Sequence, residues 1–228
     1  MADYTTNRTA LDTINIVLNR LGINAVSNLD DNNIATVATE LLNDVLDDLS
    51  DHGDWPQLYT EVTAVSISSV GEYKLDYNIK SIMEIAWNGQ VSPLQVVSTE
   101  DIRRLQRVGS TGTPRHMAVV KVSAGKAPYV RVHPVPTSAD SFNVAYYARP
   151  VTIRATAGDN TTSIPFPSRA VVQGLYANML LEENGGSQTQ DVIAAYRLYS
   201  TIKEESYNRF TSDTGTDVQF VPTGGFGK

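Results

Sequence analysis

The strongest pattern in the chain is a predicted pair of helices between Thr9 and Trp55. The first helix has one apolar face, which comprises Ile14, Val17, Leu18 and Leu21. Gly22 is expected to end it, since glycine readily takes the left-handed conformation found at helix termini. Asn33 can cap a second helix. The apolar face of that helix comprises Ile34, Val37, Ala38, Leu41, Val45, Leu46 and Leu49. The pair offers no catalytic chemistry, so its layout is what constrains the fold.

After Trp55 the pattern changes to an alternation with a period of two, which is typical of strands. Strands are predicted within 62–69, 73–77, 79–87, 94–97, 116–122, 129–135 and 142–148. The first two are expected to pair across a turn at Gly71. The dipeptide Asn88-Gly89 predicts a hairpin between the third and fourth. Ser98 or Thr99 can cap a short helix that follows.

Two helices return near the end of the chain, from 168 to about 184 and from about 187 to 210, with a break at Gly185-Gly186. The sequence therefore predicts an α+β fold, in which helix pairs from both ends form one bundle and an antiparallel β-rich region is inserted between the two pairs. The predicted parts are a helical hairpin (1–55), the β-rich insert (56–163), the C-terminal helices (164–210) and a flexible C-terminal arm (211–228).

The predicted arm combines several glycines with spaced apolar side chains, namely Val218, Phe220, Val221 and Phe226. Such a segment cannot form a core of its own, and segments of this kind often become ordered on a partner. The alternative is a frayed terminus without a role.

Composition and motifs argue against an enzyme. The chain has no cysteine, which excludes disulfides, thiolate metal sites and cysteine nucleophiles. No histidine has a second ligand at metal-binding spacing, although His116 and His133 could approach each other across paired strands. Glu182 and Glu183 point about 100° apart on a helix and do not converge on one substrate. Motifs of serine hydrolases and phosphate-binding loops are absent. We therefore expect no catalysis, no metal and no cofactor.

Charge is distributed unevenly along the chain. Between Leu21 and Tyr73 there is no Lys or Arg, whereas between Ile102 and Arg154 the only acid is Asp140. The acidic candidates for a functional surface are Glu40, Asp44, Asp47, Asp48 and Asp51. The basic candidates are Arg103, Arg104, Arg107 and Arg115. In a closed ring, the acidic face of one subunit could meet the basic face of the next. The alternative is two solvated faces whose charges cluster incidentally.

Several stretches carry a resemblance to a known family. They are Ile14 to Gly22 (INIVLNRLG), Ala25 to Asp31 (AVSNLDD), and a Gly-x-Trp formed by Gly53 and Trp55. This layout resembles the head-to-tail adaptor of short-tailed phages, the tail tubular protein A family. The stretches 129–136 (YVRVHPVP) and 144–150 (VAYYARP) show a second pattern, which is typical of phage adaptor and connector proteins.

The resemblance implies a structural virion protein that acts by assembly and sealing. It would form a ring of twelve copies between the portal and the tail nozzle, with tail fibres as a further partner and phage DNA passing through the lumen. The C-terminal arm would reach the portal. Assembly would take place in the host cytoplasm, since no apolar run is long enough for a membrane span and no signal peptide opens the chain.

Two uses of the charged surfaces remain open at this point. The acidic block could line the lumen, where its charge would keep DNA from adhering, and this use competes with the ring interface. The basic region from Arg103 to Arg115 could instead make the chain a nucleic-acid-binding module. A further alternative is another tail or connector component of similar build. The net charge of −7 argues against tight binding to phosphates.

Overall fold

The computed structural model describes residues 8–66, 68–75, 78–122 and 127–213. The helices are α1 (Ala10–Arg20), α2 (Asn33–His52), α3 (Thr99–Arg107), α4 (Ser168–Glu183) and α5 (Gln190–Asp213). The strands are β1 (Tyr59–Val65), β2 (Glu72–Lys74), β3 (Ile79–Trp87), β4 (Gln95–Val96), β5 (His116–Val122), β6 (Pro128–His133) and β7 (Ser141–Ala148). Single 3-10 turns occur at Pro56–Leu58 and Ala157–Asp159. The predicted α+β fold with an inserted β-rich region is confirmed.

The chain divides into two compact units, which are described separately. The first, called the helical unit, lies within residues 1–57 and 150–228 and contains α1, α2, α4 and α5. The second, called the β-rich unit, spans residues 58–149 and contains α3 and the strands. Among the described residues, no helix is both long and apolar enough to cross a membrane.

Local capping explains where α1 begins and ends. The Thr9 hydroxyl accepts a hydrogen bond from the Asp12 amide at 3.2 Å. At the other end, the Ile23 amide donates to the Leu18 carbonyl at 2.9 Å, and the Gly22 amide donates to the Asn19 carbonyl at 3.2 Å. These are the two hydrogen bonds of a Schellman motif, which requires a positive φ at Gly22, and φ is 75° there. The prediction that Gly22 ends this helix is confirmed.

Helix α2 begins one residue earlier than the sequence suggested, because Asn32 is its cap. The Asn32 Oδ1 accepts a hydrogen bond from the Ala35 amide at 2.8 Å. The buried apolar residues of α2 are Ala35, Ala38, Leu42, Val45, Leu46 and Leu49. The predicted face is therefore partly wrong, since Ile34 is 42% exposed and Val37 and Leu41 are half-buried.

Helix α4 is the centre of the helical unit and contacts α1, α2 and α5. Helices from both ends of the chain therefore share one core. Gly174 permits a close approach of α2 and α5 to α4, because a Cβ at this position would lie 2.8 Å from side-chain atoms of both Tyr199 and Val45. After α4 the chain turns at Gly185 and Gly186, whose φ angles are 59° and 78°.

The β-rich unit contains two sheets with strand orders β1-β7-β3 and β2-β6-β5-β4. Side chains of both sheets contribute to one apolar core. Its largest members are Tyr73, Trp87, Met117, Phe142 and Tyr146. Trp87 stacks on Phe142, with ring centroids 5.2 Å apart and an interplanar angle of 5°.

The structure corrects both predicted local hairpins. Strand β1 pairs with β7, and β2 pairs with β6, so the expected pair across Gly71 is wrong. Asn88-Gly89 does form a tight turn, in which the Gln90 amide donates to the Trp87 carbonyl at 3.0 Å. The chain then crosses to the other sheet, where β4 pairs in parallel with β5. Residues 67, 76 and 77 of the predicted strands lie outside the described residues.

The β-rich unit ends at Arg149, earlier than the predicted boundary at 163. Hydrogen bonds within the helical unit explain why residues 150–163 group with the helices. The Asn43 side chain donates to the Ile153 carbonyl at 2.8 Å and accepts from the Ile153 amide at 2.9 Å. The Asn160 Oδ1 accepts from the Leu29 amide at 3.0 Å.

Helix α5 extends three residues beyond its predicted end at 210. The remainder of the predicted C-terminal arm, including Val218, Phe220, Val221 and Phe226, lies outside the described residues.

Candidate functional site

The acidic candidates lie on α2, and four of them form one exposed stripe. The members of this stripe, called the α2 stripe, are Glu40, Asp44, Asp47 and Asp51. Their spacing of three and four residues places them on the side of α2 away from its buried face. Within the described part of the chain, none of the four has an ion-pair partner.

Asp48 differs from the α2 stripe because it binds α5. It accepts a hydrogen bond from the Tyr199 hydroxyl at 2.6 Å, and it forms a salt bridge with the Lys203 ammonium at 2.9 Å. Burial alone would raise the pKa of Asp48, but the bonds from Tyr199 and Lys203 outweigh it, and the pKa lies below its ordinary value. Burial and the carboxylate of Asp48 raise the pKa of Tyr199. Asp48 is therefore a structural link between two helices.

An open apolar groove of about 370 Å³ lies beside the exposed face of α2. Its apolar lining comprises Leu21, Ile23, Ile34, Val37, Leu41 and Met179. Glu182 and Glu183 at the end of α4 form an acidic lip. We call this feature the acid-rimmed groove. Sequence reasoning missed it, because the α2 residues that line it had been assigned to the core.

The basic candidates lie in the β-rich unit, on α3 and just before β5. The Ser98 hydroxyl caps α3 by accepting a hydrogen bond from the Asp101 amide at 3.0 Å, and Ile102 is the buried anchor of the helix. Arg104 pairs with Glu100, which lies one turn earlier in α3. The other three basic candidates, Arg103, Arg107 and Arg115, are exposed and form no ion pair with any described residue. Val108, which ends α3, is 77% exposed.

The sequences of the two units carry charge of opposite sign. The residues of the β-rich unit include ten Lys and Arg against seven Asp and Glu, a net charge of +3. Those of the helical unit include eight Lys and Arg against eighteen Asp and Glu, a net charge of −10. The polarity seen along the sequence is thus divided between separate units of the fold.

Comparison with known protein families gives a match along almost the whole chain. The family model of the SU10 adaptor protein covers residues 8–223, which include both units. The chain belongs to the SU10 adaptor protein family. It is therefore a phage adaptor, a structural component of the virion, and the predicted class of protein is confirmed at this level. Comparison with curated proteins gives no match.

The adaptor's histidine pair is confirmed as a cross-strand pair, since His116 lies opposite His133 in the β5–β6 register. The His133 Nε2 is 2.9 Å from the Ser110 hydroxyl. Burial lowers the pKa of His133, and His116 adds to this shift. Among the described residues, no group of three or more His, Asp or Glu side chains lies close enough to hold a metal ion.

The Gly-x-Trp of the adaptor follows α2 and packs against the last turns of α5. Trp55 is fully buried, and its indole donates a hydrogen bond to the Leu49 carbonyl at 2.6 Å. Its ring meets Phe166 and Tyr207 edge-to-face, at centroid distances of 5.5 and 5.3 Å. A Cβ on Gly53 would lie 2.3 Å from the Tyr207 ring, so a larger residue here would have to displace that ring. This motif therefore anchors the helix that leads into the C-terminal residues.

Proposed function

We propose that this adaptor forms a ring between the portal and the tail nozzle, as the resemblance to tail tubular protein A implies. The observation that carries the proposal is the match of the adaptor family over residues 8–223, which includes both units. A part that joins two assemblies needs separate surfaces, and the chain offers two units of opposite net charge. Phage DNA passes through the lumen without specific binding, and tail fibres are a further partner.

In this proposal, neighbouring subunits meet head to tail. The α2 stripe of one copy faces the exposed arginines of the next, and repetition of such a heterologous contact closes a ring of twelve copies. The support for this arrangement is that the α2 stripe and three of the four basic candidates have no ion-pair partner among the described residues. Asp48, which is occupied by Tyr199 and Lys203, is left out of the contact.

The C-terminal residues serve as the portal-binding arm. Their side chains Val218, Phe220, Val221 and Phe226 supply the apolar contact. The support for this assignment is that α5, which precedes them, is anchored by Trp55 and Tyr207. An anchored helix would present the arm from a defined position.

The deciding experiment combines the full-length chain with purified portal and examines the particles by electron microscopy. We expect a ring of twelve copies on one face of the portal. Deletion of residues 214–228 should abolish portal binding and leave the helical circular-dichroism signal unchanged. The absence of any ring, on the portal or alone, would contradict the proposal.

Ionic strength tests the head-to-tail contact. At 1 M salt the Debye length falls to about 3 Å, so contacts between exposed charges weaken. Rings should therefore dissociate as salt increases, and Asp44→Lys with Asp47→Lys should prevent their formation. If the acids line the lumen instead, the rings should tolerate both changes, and the lysine variant should gain affinity for duplex DNA.

A second candidate function is nucleic-acid binding through the basic surface of the β-rich unit. The observation that favours it is the exposure of Arg103, Arg107 and Arg115 without ion-pair partners in the described part of the chain. Binding through phosphates would weaken steeply with salt. Salt-sensitive binding of duplex DNA by the isolated chain, lost in Arg103→Ala with Arg107→Ala, would support this function.

A further inference from the structure

We propose that the acid-rimmed groove receives the carboxyl end of α3 from a second copy of the chain. Val108 enters the groove, and Arg103 and Arg107 face its acidic rim, which Glu182 and Glu183 form together with Asp44 of the α2 stripe. The inference rests on the proposed ring and names the surfaces that neighbouring copies bring together.

The groove has the properties of an unfilled docking site. Its α2 side presents Ile34, Val37 and Leu41, which are only partly buried although they belong to an otherwise well-packed helix. Burial of such exposed apolar surface by a partner is favourable, because it removes the apolar atoms from water. The groove therefore favours an occupant with an apolar side chain.

The rim of the groove selects the charge of that occupant. Glu182 and Glu183 form one side. Asp44 follows Leu41 by three residues and Val37 by seven, which places it along the same side of α2. The occupant should therefore carry positive charge beside its apolar side chain.

The end of α3 has both properties on one short element. Val108 is 77% exposed, and it directly follows Arg107. Arg103 lies one helical turn before Arg107, so both guanidinium groups project from the same side of α3. Neither has an ion-pair partner among the described residues, whereas Arg104 is already paired with Glu100. The helix is held in place by the buried Ile102 and the Ser98 cap.

Charge favours a second copy over the C-terminal segment as the occupant. Residues 211–228 contain Asp213 and Asp217 but only one basic residue, Lys228. That segment would bring further negative charge to an acidic lip. The β-rich unit, in contrast, has a net charge of +3.

The absence of cysteine from the chain permits a direct cross-linking test. Copies carrying Ile34→Cys are mixed with copies carrying Val108→Cys and treated with a short bismaleimide under ring-forming conditions. The mixture should give covalent dimers that pair one variant with the other. A chain carrying both substitutions should give a ladder of covalent oligomers, as a heterologous contact requires. The matched control replaces Val108→Cys with Val91→Cys, because Val91 is another exposed valine of the β-rich unit.

Each outcome decides the inference. Rings with the Ile34–Val108 cross-link and no Val91 cross-link support it. Rings without that cross-link, or with equal cross-linking at Val91, overturn the docking and leave the proposed ring intact. A cross-link that forms only within single chains also overturns it. The absence of rings, alone and on portal, overturns the proposed function and the docking with it.

A functional variant tests the same contact without chemical modification. Val108→Asp brings a negative charge to the acidic lip and should raise the concentration needed for ring assembly at least tenfold, as measured by analytical ultracentrifugation. Val91→Asp is the control and should assemble normally. Charge reversal on both sides of the contact should permit assembly. Chains carrying Arg107→Glu should form rings together with chains carrying Glu182→Lys and Glu183→Lys, because opposite charges again meet at the groove. Assembly of Val108→Asp at the wild-type concentration would overturn the docking.

Discussion

The helical unit and the β-rich unit use the chain in different ways. The helical unit joins two segments that are separated by the whole of the other unit, and α4 is the element on which both ends meet. The β-rich unit is one continuous segment, yet its pairs β1–β7 and β2–β6 are formed by strands far apart in sequence. In both units, contacts between elements far apart in sequence contribute to the core.

The two tryptophans of the chain make the comparison measurable, because each unit contains one. Trp55 meets aromatic rings edge-to-face in the helical unit, and Trp87 stacks on Phe142 in the β-rich unit. Intrinsic fluorescence can therefore follow either unit when the other tryptophan is replaced.

The largest effect is expected for Trp55→Ala. Truncation of a fully buried tryptophan removes its contacts and leaves a cavity, at a cost of about 3–5 kcal/mol in the free energy of unfolding. Urea unfolding followed by the helical circular-dichroism signal measures this loss. The fluorescence transition of Trp87 should remain in place if the units unfold independently. An equal shift of both transitions would contradict that independence.

A smaller effect is expected for Gly174→Ala. The new Cβ would lie 2.8 Å from Tyr199 and Val45, and the Tyr199 ring cannot easily move because its hydroxyl binds Asp48. Overpacking of this kind costs about 1–3 kcal/mol in the free energy of unfolding. Gly158→Ala is the control, because its nearest neighbour is the Thr156 hydroxyl at 3.9 Å. Equal stability of the two variants would show that the helices yield at Gly174.

Each unit also has carboxylates that link distant elements, and Glu72 is one of them in the β-rich unit. Hydrogen bonds from Arg131 and Lys121 lower the pKa of Glu72. Glu72→Gln should cost about 1 kcal/mol of unfolding free energy at neutral pH, discounted for partial exposure. The pKa of Glu72 is lower in the folded state than in the unfolded state. Its contribution to the free energy of unfolding is therefore complete at pH values above the unfolded-state pKa, and it is lost as the pH falls through the folded-state pKa. Urea titrations at neutral pH and near pH 3 measure it.

The smallest effect is expected for Asp48→Asn in the helical unit. The side chain of Asp48 is 48% exposed, so its bonds to Tyr199 and Lys203 should contribute only about 0.5 kcal/mol to the free energy of unfolding. The pKa of Asp48 is also lowered, so the difference between wild type and variant should be constant near neutral pH and vanish in acid. A stability difference between wild type and variant that grows in acid would contradict the lowered pKa of Asp48.

Sequence reasoning succeeded where the determining contacts are local. Ser98 and Gly22 act through bonds within a few residues, and β3 has the predicted bounds of 79–87. Asn32 rather than Asn33 caps α2, since either asparagine fits the local pattern. The partners of β1 and β4 lie too far along the chain for period-two alternation to reveal them.

The candidate surfaces were only partly predictable for a similar reason. The exposed acids of α2 and arginines of α3 lie where the sequence placed them. The link from Asp48 to Lys203 joins residues from opposite ends of the chain, so no local signal indicates it. The groove did leave a signal. Seen down the helix axis, the apolar residues of α2 span about half of the circumference, with Val37 at one edge and Leu46 at the other. This apolar surface is wider than one buried face needs.

The discontinuity of the helical unit has a consequence for how the chain is made. A ribosome releases α1 and α2 first, and α4 follows only after the 58–149 segment has been synthesised, a delay on the order of ten seconds. During that delay, the faces of α1 and α2 that α4 will cover have no native partner. A translation product that stops within the β-rich unit thus keeps those faces uncovered and is a natural substrate for chaperones or proteases. A completed helical unit therefore shows that translation of the chain has passed α4.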